Sequence, residues 1–147
     1  MKFLLTAAAV ALATAPAIAQ DATTIEVDAS EGLGRYIVTG EGRPVYMFTA
    51  DTQGTGDQEP GIACASEECL EIWPLVTTTG EPQAQGDADA SLLGTTEFGD
   101  EQVVTYNGWP LYHFARDEGR WRPQGNDIGS FGGEWYLLRP SGAFVHE

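Results

Sequence analysis

A stretch of this chain is used twice. Val38-Thr39-Gly40-Glu41-Gly42-Arg43-Pro44-Val45-Tyr46-Met47-Phe48-Thr49-Ala50-Asp51 returns as Val104-Thr105-Tyr106-Asn107-Gly108-Trp109-Pro110-Leu111-Tyr112-His113-Phe114-Ala115-Arg116-Asp117. Val, Thr, Gly, Pro, Tyr, Phe and Asp recur in place, and each copy ends in Tyr-x-Phe-x-x-Asp. In each copy a glycine turn separates two apolar runs, the pattern of a β-hairpin. Residues 35–40 are predicted to pair with 43–48 across Glu41-Gly42, and 101–106 with 109–114 across Asn107-Gly108. Asn-Gly supplies the positive φ that both central positions of a type I′ turn require; Glu-Gly is a weaker form of the same device.

Two-residue turns fix the register. In the second hairpin this sets Tyr106 opposite Trp109, Val104 opposite Leu111, Val103 opposite Tyr112 and Glu101 opposite Phe114. In the first it sets Ile37 opposite Tyr46, Val38 opposite Val45 and Tyr36 opposite Met47. Both faces of both hairpins are then largely apolar. Such hairpins must be covered on two sides, by the other repeat and by flanking segments.

The flanks continue the symmetry. Trp73-Pro74-Leu75-Val76 in the first half answers Trp135-Tyr136-Leu137-Leu138 in the second. Residues 25–29 are expected to form a short strand, and 143–145 a last one. Residues 64–72 suit a short helix, with Ser66 as N-cap, Glu67 and Glu68 in the first turn, and Pro74 as the stop. Long polar loops leave each Asp, over 51–61 and 117–133, and residues 81–90 make a polar linker. The expected fold is mainly β: two pseudo-repeated hairpin units, about 34–80 and 92–142, packed into one domain spanning 20–147.

The start of the chain reads as an export leader. Met1-Lys2 is followed by an apolar run too short to span a bilayer, and Ala17-Ile18-Ala19 fits a cleavage site, so residues 1–19 are a signal peptide and the mature chain starts at Gln20. No Cys stands there to take a lipid. The chain's formal net charge is −15, with 22 acidic residues, and cleavage would remove its one lysine. A surface so acidic repels nucleic acid and anionic headgroups and suits a divalent cation or a basic protein partner. No later stretch is apolar enough for an integral span. The two cysteines, Cys64 and Cys69, form an even count in an exported chain and are expected to be bonded. Closing so short a loop contributes about 2 kcal/mol.

On these motifs the chain resembles a bacterial secreted-repeat family, the predicted lipoproteins with a Tyr-x-(Phe/Trp/Tyr)-x-x-Asp motif. The resemblance is carried by Tyr46-Met47-Phe48-Thr49-Ala50-Asp51, by Cys64 through Cys69 to Trp73-Pro74, and by Asp89-Ala90-Ser91-Leu92-Leu93-Gly94. It continues through residues 104–114 with Asp117, and Gly133-Glu134-Trp135-Tyr136. It implies an exported, envelope-associated protein with a duplicated β unit and no established activity. Many relatives look lipidated; Gln20 stands here where they have the acylated Cys, which favours a free periplasmic protein.

Several residues qualify as sites. Tyr46, Phe48 and Asp51, with Tyr112, Phe114 and Asp117, are either an aromatic-and-acid ligand site made twice or a folding unit; Trp73 and Trp135 anchor the repeats. Strand spacing places each Tyr and Phe on one face, and an Asp after a strand accepts backbone N–H bonds. The folding reading is the stronger. Met47 and His113 occupy the same place in the two copies, and thioether with imidazole suits copper. Asp51, Asp57 and Glu59 in a Gly-rich loop offer oxygens for calcium, though not in EF-hand order. Asp117, Glu118 and Asp127 are sparser, and Trp109 and Trp121 are candidates to line a groove. The nucleophile elbow, the zincin helix, the phosphate loop and the dinucleotide fingerprint are missing. The function expected is a non-catalytic binding or scaffold module of the periplasm. An envelope metal-handling protein for copper or calcium is the alternative, and a small hydrolase the third possibility.

Overall fold

The computed structural model describes residues 3, 7–12, 22–117 and 122–146. The ends of the leader, its cleavage site, Glu118 and Trp121 lie outside them. In chain order the elements are β1 (Thr24–Ser30), β2 (Gly34–Thr39), β3 (Tyr46–Phe48), α1 (Glu67–Ile72), β4 (Thr77–Thr78), β5 (Gln83–Ala84), β6 (Leu93–Phe98), β7 (Glu101–Tyr106), β8 (Trp109–Pro110), β9 (Ile128–Ser130) and β10 (Gly133–Leu137). A 3-10 turn, Ala90–Leu92, leads into β6. The described residues are mainly β, with one short α-helix beside the disulfide, as expected.

The strands form three small sheets, ordered β2-β1-β5, β3-β10-β9 and β4-β7-β6, with β8 paired to β7. Asn107 and Gly108 have φ of 52° and 80°, as a type I′ turn demands. That turn sets Tyr106 opposite Trp109 and Thr105 opposite Pro110, and Leu111 N–H still donates to the Val104 carbonyl at 3.0 Å. Beyond that point the expected hairpin stops. Val103 pairs with Thr77 of the first repeat rather than with Tyr112, and the Glu101–Phe114 pair does not form, since β4 follows β8 along that edge of β7.

The first hairpin departs further. Thr39 N–H bonds the Arg43 carbonyl and Val38 bridges Pro44, so the turn holds three residues, Gly40-Glu41-Gly42. Only Gly42 of these has positive φ, as in a three-residue loop whose last position is left-handed. The expected pairs Ile37–Tyr46, Val38–Val45 and Tyr36–Met47 are therefore replaced. β2 pairs along its length with β1, and β3 leaves it to pair with β10 of the second repeat.

The halves are thus interlocked. Each repeat sends its tryptophan segment into the other. From the first, Val76 accepts from Val104 N–H at 2.8 Å and donates to Leu111, Pro74 accepts from His113 N–H at 2.7 Å, and Ile72 accepts from Ala115 N–H at 2.8 Å. From the second, Leu138 accepts from Ile37 N–H and Glu134 from Thr49 N–H, both at 2.9 Å. At the centre Tyr46 and Tyr112 exchange both backbone bonds, at 2.8 and 2.9 Å.

Two apolar clusters lie on the two faces of this crossing, as the two-sided apolar strands require. The first gathers Tyr46, Phe48, Trp73, Tyr112, Phe114, Trp135 and both cysteines. The second gathers Ile37, Val45, Met47, Val76, Val104, Tyr106, Leu111 and Tyr136, with Trp109 and Phe144 packed on its edge. Cys64 and Cys69 are bonded. Ser66 caps α1 by accepting from Cys69 N–H at 3.2 Å.

Candidate functional site

The two copies of Tyr-x-Phe-x-x-Asp meet at the crossing. In each, the aromatic pair lies on one face of the strand, and the Asp follows a turn in which its own N–H bonds the Phe carbonyl, Asp51 to Phe48 and Asp117 to Phe114, both at 3.1 Å. The hydroxyls then cross between repeats. Tyr46 donates to Asp117 at 2.8 Å, and Tyr112 donates to Asp51 at 2.7 Å. Each carboxylate's other oxygen accepts a loop N–H, Ala63 on Asp51 and Gln124 on Asp117, at 2.7 Å in both cases. Gly125 N–H donates to the Tyr46 hydroxyl at 3.1 Å. A Cβ at Gly125 would lie 2.7 Å from that ring, so the second loop needs glycine there.

The aromatic rings follow the same symmetry. Phe48, Trp135, Trp73 and Phe114 form a continuous stack with centroid spacings of 4.0, 4.0 and 4.3 Å. Tyr112 stands edge-on to Trp135, and Tyr46 edge-on to Trp73. Offset and edge-on pairs of this kind each add about 0.5–1.5 kcal/mol beyond area burial.

Burial sets the electrostatics. It pushes the Asp51 carboxyl up to about 6, against the N–H bonds and the Tyr112 hydroxyl that favour its charged form. Asp117 is raised for the same reason. Both tyrosine hydroxyls are raised well beyond their usual range, by burial first and by the facing carboxylate second.

The remaining sequence candidates fall elsewhere. Met47 is fully buried in the second apolar cluster. His113 is half-buried and lines a cleft; its Nδ1 lies 3.3 Å from the Pro44 carbonyl, which can only accept, so Nδ1 carries the proton and Nε2 is an acceptor. Burial, and then the Arg43 guanidinium, lower its pKa to about 4. Asp57 and Glu59 are exposed on a miniature hairpin in which Thr52 bridges Gly61 and Thr55 bridges Gln58, while Asp51 is turned to Tyr112. Among the described residues no three His, Cys, Asp or Glu side chains are grouped to hold a metal. Trp109 packs edge-on against Phe144 at 5.7 Å. Asp127 is exposed at a left-handed φ of 61°.

The cleft at His113 encloses about 780 Å³ and includes Glu26, Thr39, Glu41, Arg43 and Pro74 in its wall. Sequence reading missed all of these as site residues. The available signal was the mismatch between repeats, Arg43 against Trp109 and Pro74 against Tyr136.

The fold and its crossed Tyr–Asp pairs define a two-repeat β protein closed by reciprocal exchange. Residues 94–139 match a family described as a secreted repeat of unknown function, which bears out over the second repeat the resemblance drawn from its motifs. No curated protein and no solved structure is significantly similar to the chain. Among the described residues no helix is long and apolar enough to cross a membrane.

Proposed function

We propose that the chain is an exported, non-catalytic binding module of the periplasm, freed from its leader after Ala19 and carrying no lipid. The observation behind this reading is the fate of the signature. Tyr46, Phe48, Asp51, Tyr112, Phe114 and Asp117 bond or stack across the repeat boundary. The motif therefore acts as a frame, and recognition falls to what the frame displays. The exposed groups that differ between the halves are the natural recognition elements.

A thermal-shift screen of the purified periplasmic protein against small envelope solutes tests this: amino acids, short peptides, sugars, Ca²⁺ and Cu²⁺. Mass spectrometry follows each solute. The expected result is saturable stabilisation by an organic solute that is recovered unchanged. Conversion of a solute to product would replace the binding reading with an enzymatic one. Stabilisation by metal alone would favour metal handling, and no shift with any solute would overturn the proposal.

A further inference from the structure

The interlock gives every position near the crossing a counterpart, and one pair of counterparts is unlike. Met47 lies in the second apolar cluster with Tyr106 and Tyr136, the latter its strand partner, and Trp109 and Phe144 pack against that cluster. Tyr136 stacks on Phe144 at 5.6 Å, and Trp109 meets Phe144 edge-on. The repeat alignment places His113 where Met47 stands, Gly40 where Tyr106 stands, Arg43 where Trp109 stands and Pro74 where Tyr136 stands. Three bulky rings are thus exchanged for a glycine, a proline and an exposed arginine, and the result is the open cleft.

The groups around it are of both signs. Among the described residues the Arg43 guanidinium makes no hydrogen bond or ion pair, and its charge acts at longer range on the Asp117 carboxyl and on His113; Arg35 is paired with Asp87. Glu26, Glu41 and His113 line the same cleft, and His113 keeps Nε2 as an acceptor because Nδ1 is turned to the Pro44 carbonyl. Thr39, 7% exposed, is part of the wall, and among the described residues its hydroxyl has no hydrogen-bond partner. Pro74, Leu75 and Val76 supply an apolar side. In so acidic a chain an unpaired guanidinium in a cleft is a local anion trap, and the flanking carboxylates select against a purely anionic occupant.

We propose that this cleft binds a small zwitterion, a free amino acid or short peptide. Its carboxylate bonds Arg43, its ammonium lies among Glu26, Glu41 and His113 Nε2, and its side chain rests on Pro74 and Leu75. The proposal rests on the binding-module reading and names its site and ligand class.

Amide chemical shifts of the purified ¹⁵N-labelled protein, titrated with alanylalanine, test it. Acetate and ethylammonium serve as half-ligand controls at equal concentration. Saturable shifts at residues 39–43, 75–77 and 113 are expected, with neither half-ligand reproducing them. Arg43→Gln should weaken binding at least about tenfold, the loss of one charge-assisted contact, and Glu41→Gln should weaken it too. Unmoved Asn107 and Gly108 amides would certify that each variant is folded. Equal shifts with acetate alone would reveal a plain anion site and overturn the proposal, as would unchanged affinity in Arg43→Gln. Alanylalanine shifts elsewhere, with the cleft silent, would sink this site and leave the general binding reading standing. Silence here together with a silent solute screen would sink both.

Discussion

Asp51 combines a short carboxyl, 7% exposure and a phenol from the other repeat. Its pKa is about 6 in the fold against 3.8 for the free side chain, so the folded state holds the proton more tightly than the unfolded one. The stability this confers is complete below about pH 4 and is lost as pH rises through 6. From this group alone the protein should be about 3 kcal/mol less stable at pH 7 than at pH 3.5. Asp51→Asn should remove that difference, at the cost of one acceptor for Ala63 N–H or Tyr112. Urea denaturation of both proteins at the two pH values measures it, and an equal pH difference in the variant would disprove the assignment. Glycines make a second test at this scale. A Cβ at Gly108 (φ 80°) would overlap the Gly54 carbonyl, whereas Gly86 (φ 59°) faces open space. Gly108→Ala should therefore cost more than about 2 kcal/mol and Gly86→Ala about 1, the left-handed strain without the clash. Equal costs would mean that the 54–108 packing does not hold in solution.

At the level of elements, legibility in the sequence followed locality. α1, with Ser66 as its cap, is set by residues within a few positions of one another, and the Asn107-Gly108 turn by its own two φ angles, so both were readable. β1 was readable from its alternation. The first turn was misread by one residue because Glu41 does not have the positive φ a two-residue turn needs. β5, β6 and β9 escaped because Gln, Gly, Thr and Ser give no apolar period, and their strand character comes from partners far along the chain. The exchange of the tryptophan segments is invisible locally: Leu75-Val76 would read the same whether it paired with its own repeat or the other. So Asp51 and Asp117, readable as turn formers, proved to be acceptors for the opposite tyrosine. The disulfide beside α1 offers a check at this scale. Alkylation without reductant should add no mass, and replacing both Cys64 and Cys69 by Ser should cost about 2 kcal/mol; two labelled thiols would refute the bond.

For the whole molecule the interlock predicts how the chain behaves when cut. The linker at Gly86 and Asp87 is exposed, while the halves share the stacked rings, two Tyr–Asp bonds and strands on both sides. A protease site inserted at Gly86 and cleaved after folding should leave one particle on size exclusion with a lower melting temperature. Separation into two species would mean that the exchange contributes little. The geometry is that of an isologous dimer in which one polypeptide supplies both partners. A dimer encoded by a single-repeat gene must carry every substitution twice: placing a guanidinium beside one crossing places it beside the other. Tethering the partners in one reading frame removes that constraint. One flank of this protein holds an aromatic plug, and the other carries Arg43 and His113 at the matching positions without opening both sides of the core.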